Sequence, residues 1–332
     1  MTVTIYEKTS QLPELLPNTG YFHSRELMEL CEKTPRQRPF MAVVSDEEGQ
    51  TIASLLAVER SRRSWFPPYL YRHVRILGEG VYREDAPTEA PQADTLSKNM
   101  LFSMMIDALT RRLGPRTLYM EVSHLGQKMF GYAPLRAAGY FPVKWMNVHN
   151  SLHSKTPEER ISGRQLKRIK YGVEHGVATK AVETEEDFKA FMRLLRRHHW
   201  LKPRRYVPDK TFFQGLMEQQ RGTLFISKYN GHVVGASCLL YAEDDAYLWY
   251  SASRRKSFAT LHPNAVTYWN TIQYAYKKGC QHIRFMDVGL PFRRHPYRDF
   301  ILSFGGKEVS TFRWFRISIP WVNRLASWLW RV

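Results

Sequence analysis

The order of elements predicted in the first half of this chain recurs in the second half. Each half contains a hairpin, a long helix, a strand, a short helical piece and a last strand that follows glycine. The first hairpin, residues 40–58, turns at Asp46-Glu47-Glu48-Gly49, and the second, residues 223–241, turns at Asn230-Gly231. Five elements in the same order predict two copies of one mixed α/β (α+β) unit.

Matching segments support this duplication. The small pair Ala53-Ser54 corresponds to Ala236-Ser237, and the long helices end at Leu113-Gly114 and at Lys278-Gly279. Both glycines are typical of a helix carboxyl end. The sequence therefore predicts a first unit over residues 1–150, a basic connector over 151–182 and a second unit over 183–332.

The connector is predicted to be one helix. Thr156-Pro157-Glu158-Glu159 combines a capping box with a proline in the first turn, and Gly176 is able to end the helix. Basic residues cover much of the connector, and a second basic group follows Trp200. The ordinary alternative is a solvated helix face. Taken together, the two groups are predicted to bind a polyanion or an anionic acceptor through Arg164, Arg168, Lys202, Arg204 and Arg205.

The stretch from Tyr247 to Gly289 carries the predicted ligand site. An aromatic strand leads into a cationic loop, and Pro263-Asn264 then opens a helix. Helix amino termini bind anions because unpaired N–H groups and the helix dipole act together there. We therefore predict a phosphate site, with a solvated hairpin end as the alternative. The predicted phosphate-binding residues are Arg254, Arg255, Lys256 and Asn264.

Charge and cysteine content restrict the class of protein. The formal net charge of +18 favours partners that carry phosphates, such as nucleic acid, nucleotide cofactors or anionic membranes. Cys31, Cys238 and Cys280 are far apart, which predicts neither a disulfide framework nor a cysteine zinc site. His198 and His199 are adjacent, so on a regular helix they do not face one metal. No metal is expected.

The termini bear on where the protein acts. No secretory signal and no apolar run of membrane-spanning length is visible, so a cytoplasmic protein is expected. The tryptophan-rich, amphipathic stretch 321–331 predicts peripheral contact with the inner face of a membrane, and packing onto the domain is the commoner alternative.

Several short motifs together resemble a known family. They are Tyr21-Phe22-His23-Ser24, the run 166–177, Pro263-Asn264, Lys278-Gly279 before 285–289, and Phe304-Gly305-Gly306. Over nearly its whole length the chain resembles the FemAB-like double-domain acyltransferases, related to the Fem peptidoglycan aminoacyltransferases of the GNAT N-acetyltransferase superfamily. The resemblance implies two tandem GNAT-like acyltransferase domains joined by the helical connector, and transfer of an acyl group to an amine.

The resemblance leaves the donor open. The glycine-rich pyrophosphate loop of typical acetyltransferases is absent from residues 254–262, which is a departure from acetyl-CoA enzymes. Fem enzymes, whose donor is an aminoacyl-tRNA, are similar in lacking a clean version of this loop. The positive charge suits a tRNA and the pyrophosphate of acyl-CoA nearly equally. The acceptor implied is an amine, such as a nucleotide- or lipid-linked cell-envelope precursor, with Arg293 and Arg294 as further acceptor-binding residues.

Acyl transfer to an amine requires a group that deprotonates or orients the amine and a donor for the developing oxyanion. Asp287, beside Gly289 at the end of a predicted strand, is the predicted base, with a loop-capping carboxylate as the alternative. Tyr250 and Ser251 are predicted to protonate the leaving group or bind the carbonyl oxygen, although buried tyrosines more often pack. A second hypothesis is a non-catalytic basic module whose degenerate GNAT fold binds nucleic acid or anionic membrane.

Overall fold

The computed structural model describes residues 1–17, 20–64, 69–83, 97–199, 206–254, 256–286, 288–291 and 295–330. The chain forms two compact units, Met1–Trp145 with Ser310–Val332, and Met146–Val309. In chain order the elements are β1 (Thr2–Tyr6), α1 (Arg25–Lys33), β2 (Gln37–Ser45), β3 (Thr51–Ser64), β4 (Tyr69–Leu77), β5 (Val81–Tyr82), α2 (Lys98–Leu113), β6 (Tyr119–Ser123), α3 (Tyr132–Ala137), β7 (Phe141–Ser151), α4 (Pro157–Arg160), α5 (Gly163–Glu174), β8 (Ala178–Ala181), α6 (Glu185–His199), α7 (Lys210–Glu218), β9 (Gly222–Tyr229), β10 (His232–Ala242), β11 (Asp245–Ser253), α8 (Pro263–Lys277), β12 (His282–Phe285), α9 (Pro296–Leu302), β13 (Lys307–Ile317) and α10 (Pro320–Leu329).

The first unit is a sheet with α2 packed against it. Its strand order is β1-β2-β3-β4-β6-β13, with β5 beside β3. Neighbouring strands are antiparallel except β4 and β6, which are parallel. Leu101, Met105 and Leu109 recur at helical spacing along α2 and are fully buried. They join Val74 of β4 and Trp314 of β13 in one core.

The second unit repeats this pattern. Its strand order is β7-β12-β11-β10-β9-β8, in which β11 and β12 are parallel and the other neighbours are antiparallel. Ala265, Ile272 and Ala275 of α8 pack in its core. In both units a run of antiparallel strands leads to one parallel pair and then to an antiparallel last strand. The predicted mixed α/β fold with two related units is confirmed.

The last strand of each sheet comes from the other half of the sequence. β7 begins at Phe141, and its later part pairs with β12, with Val148 opposite Phe285. β13 begins at Lys307, and its later part pairs with β6, with Trp314 opposite Val122. The compact units therefore differ from the predicted division: residues 310–332 lie in the first unit, and residues 151–182 lie in the second.

The prediction of one continuous connector helix is wrong. The capping box at Thr156 is present, but it opens only the four-residue α4. Ile161 and Ser162 are extended, and the Ser162 hydroxyl accepts a hydrogen bond from the Gln165 N–H, so a second helix, α5, starts there. α5 packs against α8 within the second unit. A second N-cap inside a basic run therefore divides the segment.

A charged cluster is buried in the sheet of the first unit. One carboxylate oxygen of Glu121 on β6 lies 3.3 Å from Arg75 Nε on β4 and 3.5 Å from Arg313 Nε on β13. All three side chains are at most 10% exposed. Burial of ions is costly unless they are paired, so the one carboxylate compensates two guanidinium groups.

His73 lies in the same strand as Arg75 and carries no charge near neutral pH. Burial, reinforced by Arg60, Arg62 and Arg75, lowers its pKa to about 2. Its ring stacks on Tyr119 with centroids 5.1 Å apart. His23 is a second buried histidine: burial lowers its pKa to about 4, and its Nδ1 accepts a hydrogen bond of 3.1 Å from the Leu56 N–H.

We expect the chain to lose stability in mild acid. Because both pKa values are lower in the folded protein than the ordinary 6.5, the unfolded chain binds more protons below pH 6.5. The stability from each neutral histidine is complete above that pH and is lost as the pH falls toward its folded pKa, about 4 for His23 and about 2 for His73. Each histidine should lower the free energy of unfolding by about 2 kcal/mol when the pH changes from 7 to 5.

Urea unfolding at pH 7, 6 and 5 measures this dependence. In His73→Phe, which keeps an aromatic ring against Tyr119, the loss in unfolding free energy between pH 7 and pH 5 should be smaller by about 2 kcal/mol. An unchanged pH dependence in this variant would show that His73 titrates alike in the folded and unfolded chain.

Candidate active site

The second unit contains a cavity of about 940 Å³ at the start of α8. The end of α6, the end of β11, the loop that follows β11 and the start of α9 complete its wall. Its polar lining combines cations, histidines and hydroxyl groups, namely Arg197, His198, His199, Ser251, Ser253, Ser257, Arg254, Lys256, Asn264, Thr267, Tyr268, His295 and Tyr297. A concave site of this size with convergent polar groups suits a cofactor-sized ligand.

The wall formed by β11 lies beyond the point where β11 and β12 cease to pair. The parallel pairing runs from Asp245 opposite His282 to Leu248 opposite Phe285, whereas β11 continues to Ser253. Two histidines of α6 contact carbonyl oxygens of this extension. His199 Nε2 lies 3.2 Å from the Ser251 oxygen, and His198 Nδ1 lies 3.2 Å from the Ser253 oxygen. The end of α6 thus contacts the backbone of β11 at the cavity wall.

The loop after β11 brings cations to the cavity. Arg254 and Lys256 line it together with Asn264 at the start of α8. The backbone N–H of Arg254 donates to the Val234 oxygen at 2.8 Å, while its buried Nε has no hydrogen-bond partner among the described residues. A guanidinium group with an unused donor, next to a helix amino terminus, is suited to bind a phosphate oxygen.

Two glycines let α8 and its loop pack closely against neighbouring elements. A Cβ atom at Gly235 of β10 would overlap Thr267 Oγ1, and one at Gly172 of α5 would lie 2.5 Å from the Leu261 oxygen. Thr267 Oγ1 donates to the Pro263 oxygen at 2.7 Å and lies 2.6 Å from Ser227 Oγ. These contacts fix the first turn of α8 at the edge of the cavity.

A chain of hydroxyl groups crosses the cavity wall. Tyr268 donates to Tyr297 Oη at 3.1 Å, so its own oxygen accepts from Ser251 Oγ, 2.6 Å away. In this arrangement the bond between the two tyrosines does not use the Tyr297 proton. Neither tyrosine is among the residues predicted from the sequence, although Tyr268 follows Asn264 by four residues and therefore shares its face of α8.

His295 adds a neutral imidazole to the cavity. Burial, reinforced by Arg298 and opposed by Asp299, lowers the pKa of His295. Its buried Nδ1 has no hydrogen-bond partner in the part of the chain that the structure describes. Since a neutral imidazole is able to accept a proton, His295 has the chemistry of a general base.

The predicted catalytic tyrosine, Tyr250, does not line this cavity. Its side chain is buried, and its ring packs against Phe213 of α7 with centroids 5.4 Å apart. The neighbouring Trp249 packs against Phe212 of the same helix. Ser251, in contrast, hydrogen-bonds Tyr268 of α8 and lines the cavity.

A β-bulge explains this placement. Cys238 pairs with Tyr250 and Leu239 pairs with Leu248, which leaves Trp249 as an extra residue in β11. A bulge interrupts the alternation of side chains, so two consecutive residues contact α7. Ser251 is thereby returned to the α8 side, where Leu248 also packs.

The remaining residues predicted to bind an anion or act in catalysis either lie outside the cavity lining or fall outside the described residues. Arg164 is exposed on α5, and neither it nor Arg168 lines the cavity. Arg168 nevertheless acts on the residue that precedes α8: its positive charge, in addition to burial, lowers the pKa of His262. Seven predicted residues fall outside the described residues, namely Arg255, Asp287, Lys202, Arg204, Arg205, Arg293 and Arg294.

The described residues contain neither a metal-binding cluster nor a membrane-spanning helix. They hold no group of three or more histidine, cysteine or acidic side chains placed to bind a metal ion. None of their helices combines the length and the apolar character needed to cross a bilayer.

Comparison with known proteins relates this geometry to a family. Residues 163–294, which include the cavity loop, match the model of an acetyltransferase (GNAT) domain. No curated protein sequence matches the chain. Among solved structures, FemX is 11% identical, with 94% of this chain and 95% of that chain covered and a TM-score of 0.58.

Two further structures are similar over almost their whole length. The carboxyl-terminal domain of a protein from Agrobacterium fabrum, assigned as a lysylphosphatidylglycerol synthetase, is 10% identical with a TM-score of 0.57, and 92% of this chain and 91% of that chain are covered. A tandem GNAT protein from the clavulanic acid biosynthesis pathway is 10% identical with a TM-score of 0.57, at 96% and 99% coverage. At these identities the likeness establishes the fold.

The family match and the shared fold decide between the two functional hypotheses. An acetyltransferase domain lies over the cavity-bearing half, and the whole chain has the architecture of tandem GNAT proteins. The predicted N-acyltransferase is confirmed, and the non-catalytic basic module is not favoured. Residues 163–294 are thus an acetyltransferase (GNAT) domain, and the whole chain shares its fold with FemX and with a tandem GNAT protein.

Proposed function

We propose that the cavity of the second unit is the acyl-transfer site of this enzyme. The observation that carries the proposal is the meeting of three kinds of group in one cavity: Arg254 and Lys256 beside α8, the hydroxyl chain that ends at Tyr297, and the neutral His295. Acyl transfer to an amine needs a positioned donor, a base and a proton for the leaving group.

We propose acyl-CoA as the donor. Arg254, Lys256 and the amino terminus of α8 would bind its pyrophosphate, since charge-assisted hydrogen bonds and the helix dipole act on the same anion. The volume of about 940 Å³ is large enough for a cofactor-sized molecule. A tandem GNAT relative was crystallised in a form described as lacking AcCoA, which supports the same donor class. An aminoacyl-tRNA is the competing donor.

Each proton has a place in this proposal. His295 takes a proton from the acceptor ammonium group, and the resulting amine attacks the acyl carbon. The bond from that carbon to the thioester sulfur breaks as Tyr297 donates its proton to the departing thiolate. The second proton lost by the amine restores the Tyr297 hydroxyl. Ser251 and Tyr268 stabilise the transient phenolate through their hydrogen bonds.

The acceptor class is proposed from the likeness to FemX and to the A. fabrum domain assigned as a lysylphosphatidylglycerol synthetase. We propose an amine on a nucleotide- or lipid-linked cell-envelope precursor. A cytoplasmic enzyme would meet a lipid-linked precursor at the inner face of the membrane. Arg164 and Arg168, together with Lys202, Arg204, Arg205, Arg293 and Arg294, remain proposed contacts to an anionic acceptor.

Calorimetry with acetyl-CoA tests the donor site. The full-length chain should bind acetyl-CoA, and Arg254→Gln with Lys256→Gln should raise the Kd at least about tenfold, because two charge-assisted contacts to pyrophosphate are lost. The matched control is Lys210→Gln with Lys277→Gln, which removes the same charge from exposed positions outside the cavity lining. Its Kd should stay within about twofold of the unmodified protein.

Two results would overturn the CoA assignment. One is equal weakening in both double variants, which would indicate a nonspecific effect of net charge. The other is absence of acetyl-CoA binding together with retention of charged tRNA in a gel-shift assay, which would assign the donor to aminoacyl-tRNA.

A further inference from the structure

The last helix of the first unit presents its apolar side to the surroundings. Four large apolar residues of α10 are 50–68% exposed, namely Trp321, Leu325, Trp328 and Leu329. No residue of the helix is buried. Their spacing of four, three and one places them on one arc of about 100°.

Polar side chains attach the opposite side of α10 to the protein. Asn323 Nδ2 donates to the Gly139 oxygen at 2.9 Å, and Asn323 Oδ1 accepts from the Ile317 N–H at 2.8 Å. Ser327, one turn later, accepts from Arg136 at 3.4 Å. Surface helices ordinarily bury their apolar stripe. The reversed arrangement of α10 leaves that stripe available to another molecule.

Arginines surround the start of this helix. A cavity of about 370 Å³ next to α10 is lined by Arg111 of α2, Arg316 of β13 and Arg324 of α10, with Asp107 as its one carboxylate among the described residues. Arg324 is itself exposed beside the apolar arc. Pro320–Leu329 contains no acidic residue. The surface thus joins an apolar arc to a net positive cavity.

The exposed apolar area of α10 and the charge beside it indicate whether a second copy of the chain or a lipid bilayer binds this surface. The four exposed side chains present on the order of 500 Å², whereas a stable interface buries about 800 Å² on each partner. A two-fold contact between copies would also bring the two Arg324 cations close together, which is unfavourable. An anionic bilayer has neither difficulty, since its interior accepts the apolar arc and its phosphates pair with arginine.

We propose that α10 docks parallel to an anionic lipid surface, with its apolar arc in the acyl boundary and a headgroup phosphate in the arginine-lined cavity. Tryptophan favours this boundary because its ring is apolar and its N–H is polar. The inference concerns the first unit alone and holds for either acyl donor.

Vesicle sedimentation with the full-length chain tests this proposal. Vesicles of phosphatidylcholine with 30% phosphatidylglycerol should bind the protein, and pure phosphatidylcholine should bind it at least about tenfold more weakly. Trp321→Ser with Trp328→Ser should reduce binding to the mixed vesicles at least about tenfold, since both rings leave the bilayer. Arg316→Gln and Arg324→Gln should each cost about fivefold, and only on the anionic vesicles.

Leu70→Gln is the control, because Leu70 is 77% exposed on β4, outside α10 and the arginine-lined cavity. It should bind vesicles like the unmodified chain. Acetyl-CoA binding by the tryptophan variant, measured without vesicles, should be unchanged, which separates this surface from the cavity of the second unit.

Equal vesicle binding by the tryptophan variant and the unmodified chain would overturn the proposal. So would a dimer in sedimentation equilibrium that the tryptophan variant abolishes, because the arc would then bind a second copy.

Discussion

Tyr297→Phe is expected to lower kcat by about 100-fold or more, the usual range for loss of a general acid. Without the phenol proton the thiolate must depart as an anion, while the cations that bind the donor stay in place. The KM for acetyl-CoA should therefore change by less than about threefold. Steady-state kinetics at several pH values, with the free thiol followed by a chromogenic disulfide, provide both constants.

Two other Tyr→Phe variants serve as controls for Tyr297→Phe. Tyr276→Phe removes a hydroxyl from an exposed residue of α8 outside the cavity lining, and its kcat should be unchanged. Tyr250→Phe should also retain most of the activity, because that ring packs against α7. If kcat fell equally in Tyr250→Phe and Tyr297→Phe, the result would contradict Tyr297 as the general acid. An unchanged kcat in Tyr297→Phe would exclude that role.

Glu121→Ala is expected to lower the free energy of unfolding by about 3–5 kcal/mol. The substitution leaves Arg75 and Arg313 buried without the carboxylate that lies 3.3 Å and 3.5 Å from them. A buried charge that loses its counter-ion costs far more than an exposed pair does. Urea unfolding at pH 7, followed by circular dichroism, measures the difference.

The matched control is Glu7→Ala, which removes a carboxylate from the pair with Arg112, where both side chains are about half exposed. Its cost should be below about 1 kcal/mol. Adding Arg75→Met to Glu121→Ala should restore part of the stability, because it removes one of the two buried cations that lost the Glu121 carboxylate. A cost for Glu121→Ala as small as that for Glu7→Ala would mean that water or other groups compensate the two arginines.

Local patterns were sufficient to predict the duplicated fold and to bring together part of the candidate site's lining. The hairpins, the long helices and the cationic loop before Pro263 follow from turn residues, periodicity and capping signals that lie within a few residues. Ser251, Arg254, Lys256 and Asn264 line one cavity for the same reason: they flank a single strand-to-helix turn.

The features that the sequence did not reveal depend on distant partners. A bulge at Trp249 becomes visible only when β11 pairs with β10, and it decides that Ser251 rather than Tyr250 contacts α8. Tyr297 belongs to another element, and its proposed role depends on a hydrogen bond to Tyr268 across 29 positions. The break at Ser162 is local, but the capping box six residues earlier is the stronger signal and concealed it.

The strand that completes the sheet of the first unit, β13, is made long after its neighbour β6. During synthesis some 190 residues separate β6 from Ser310–Ile317. The edge of β6 that pairs with β13 therefore stays unpaired until those residues have been made. An open edge of that kind invites pairing with other chains. A gene fragment that ends near the midpoint would therefore encode a first unit without β13, and the unpaired edge of β6 would favour aggregation.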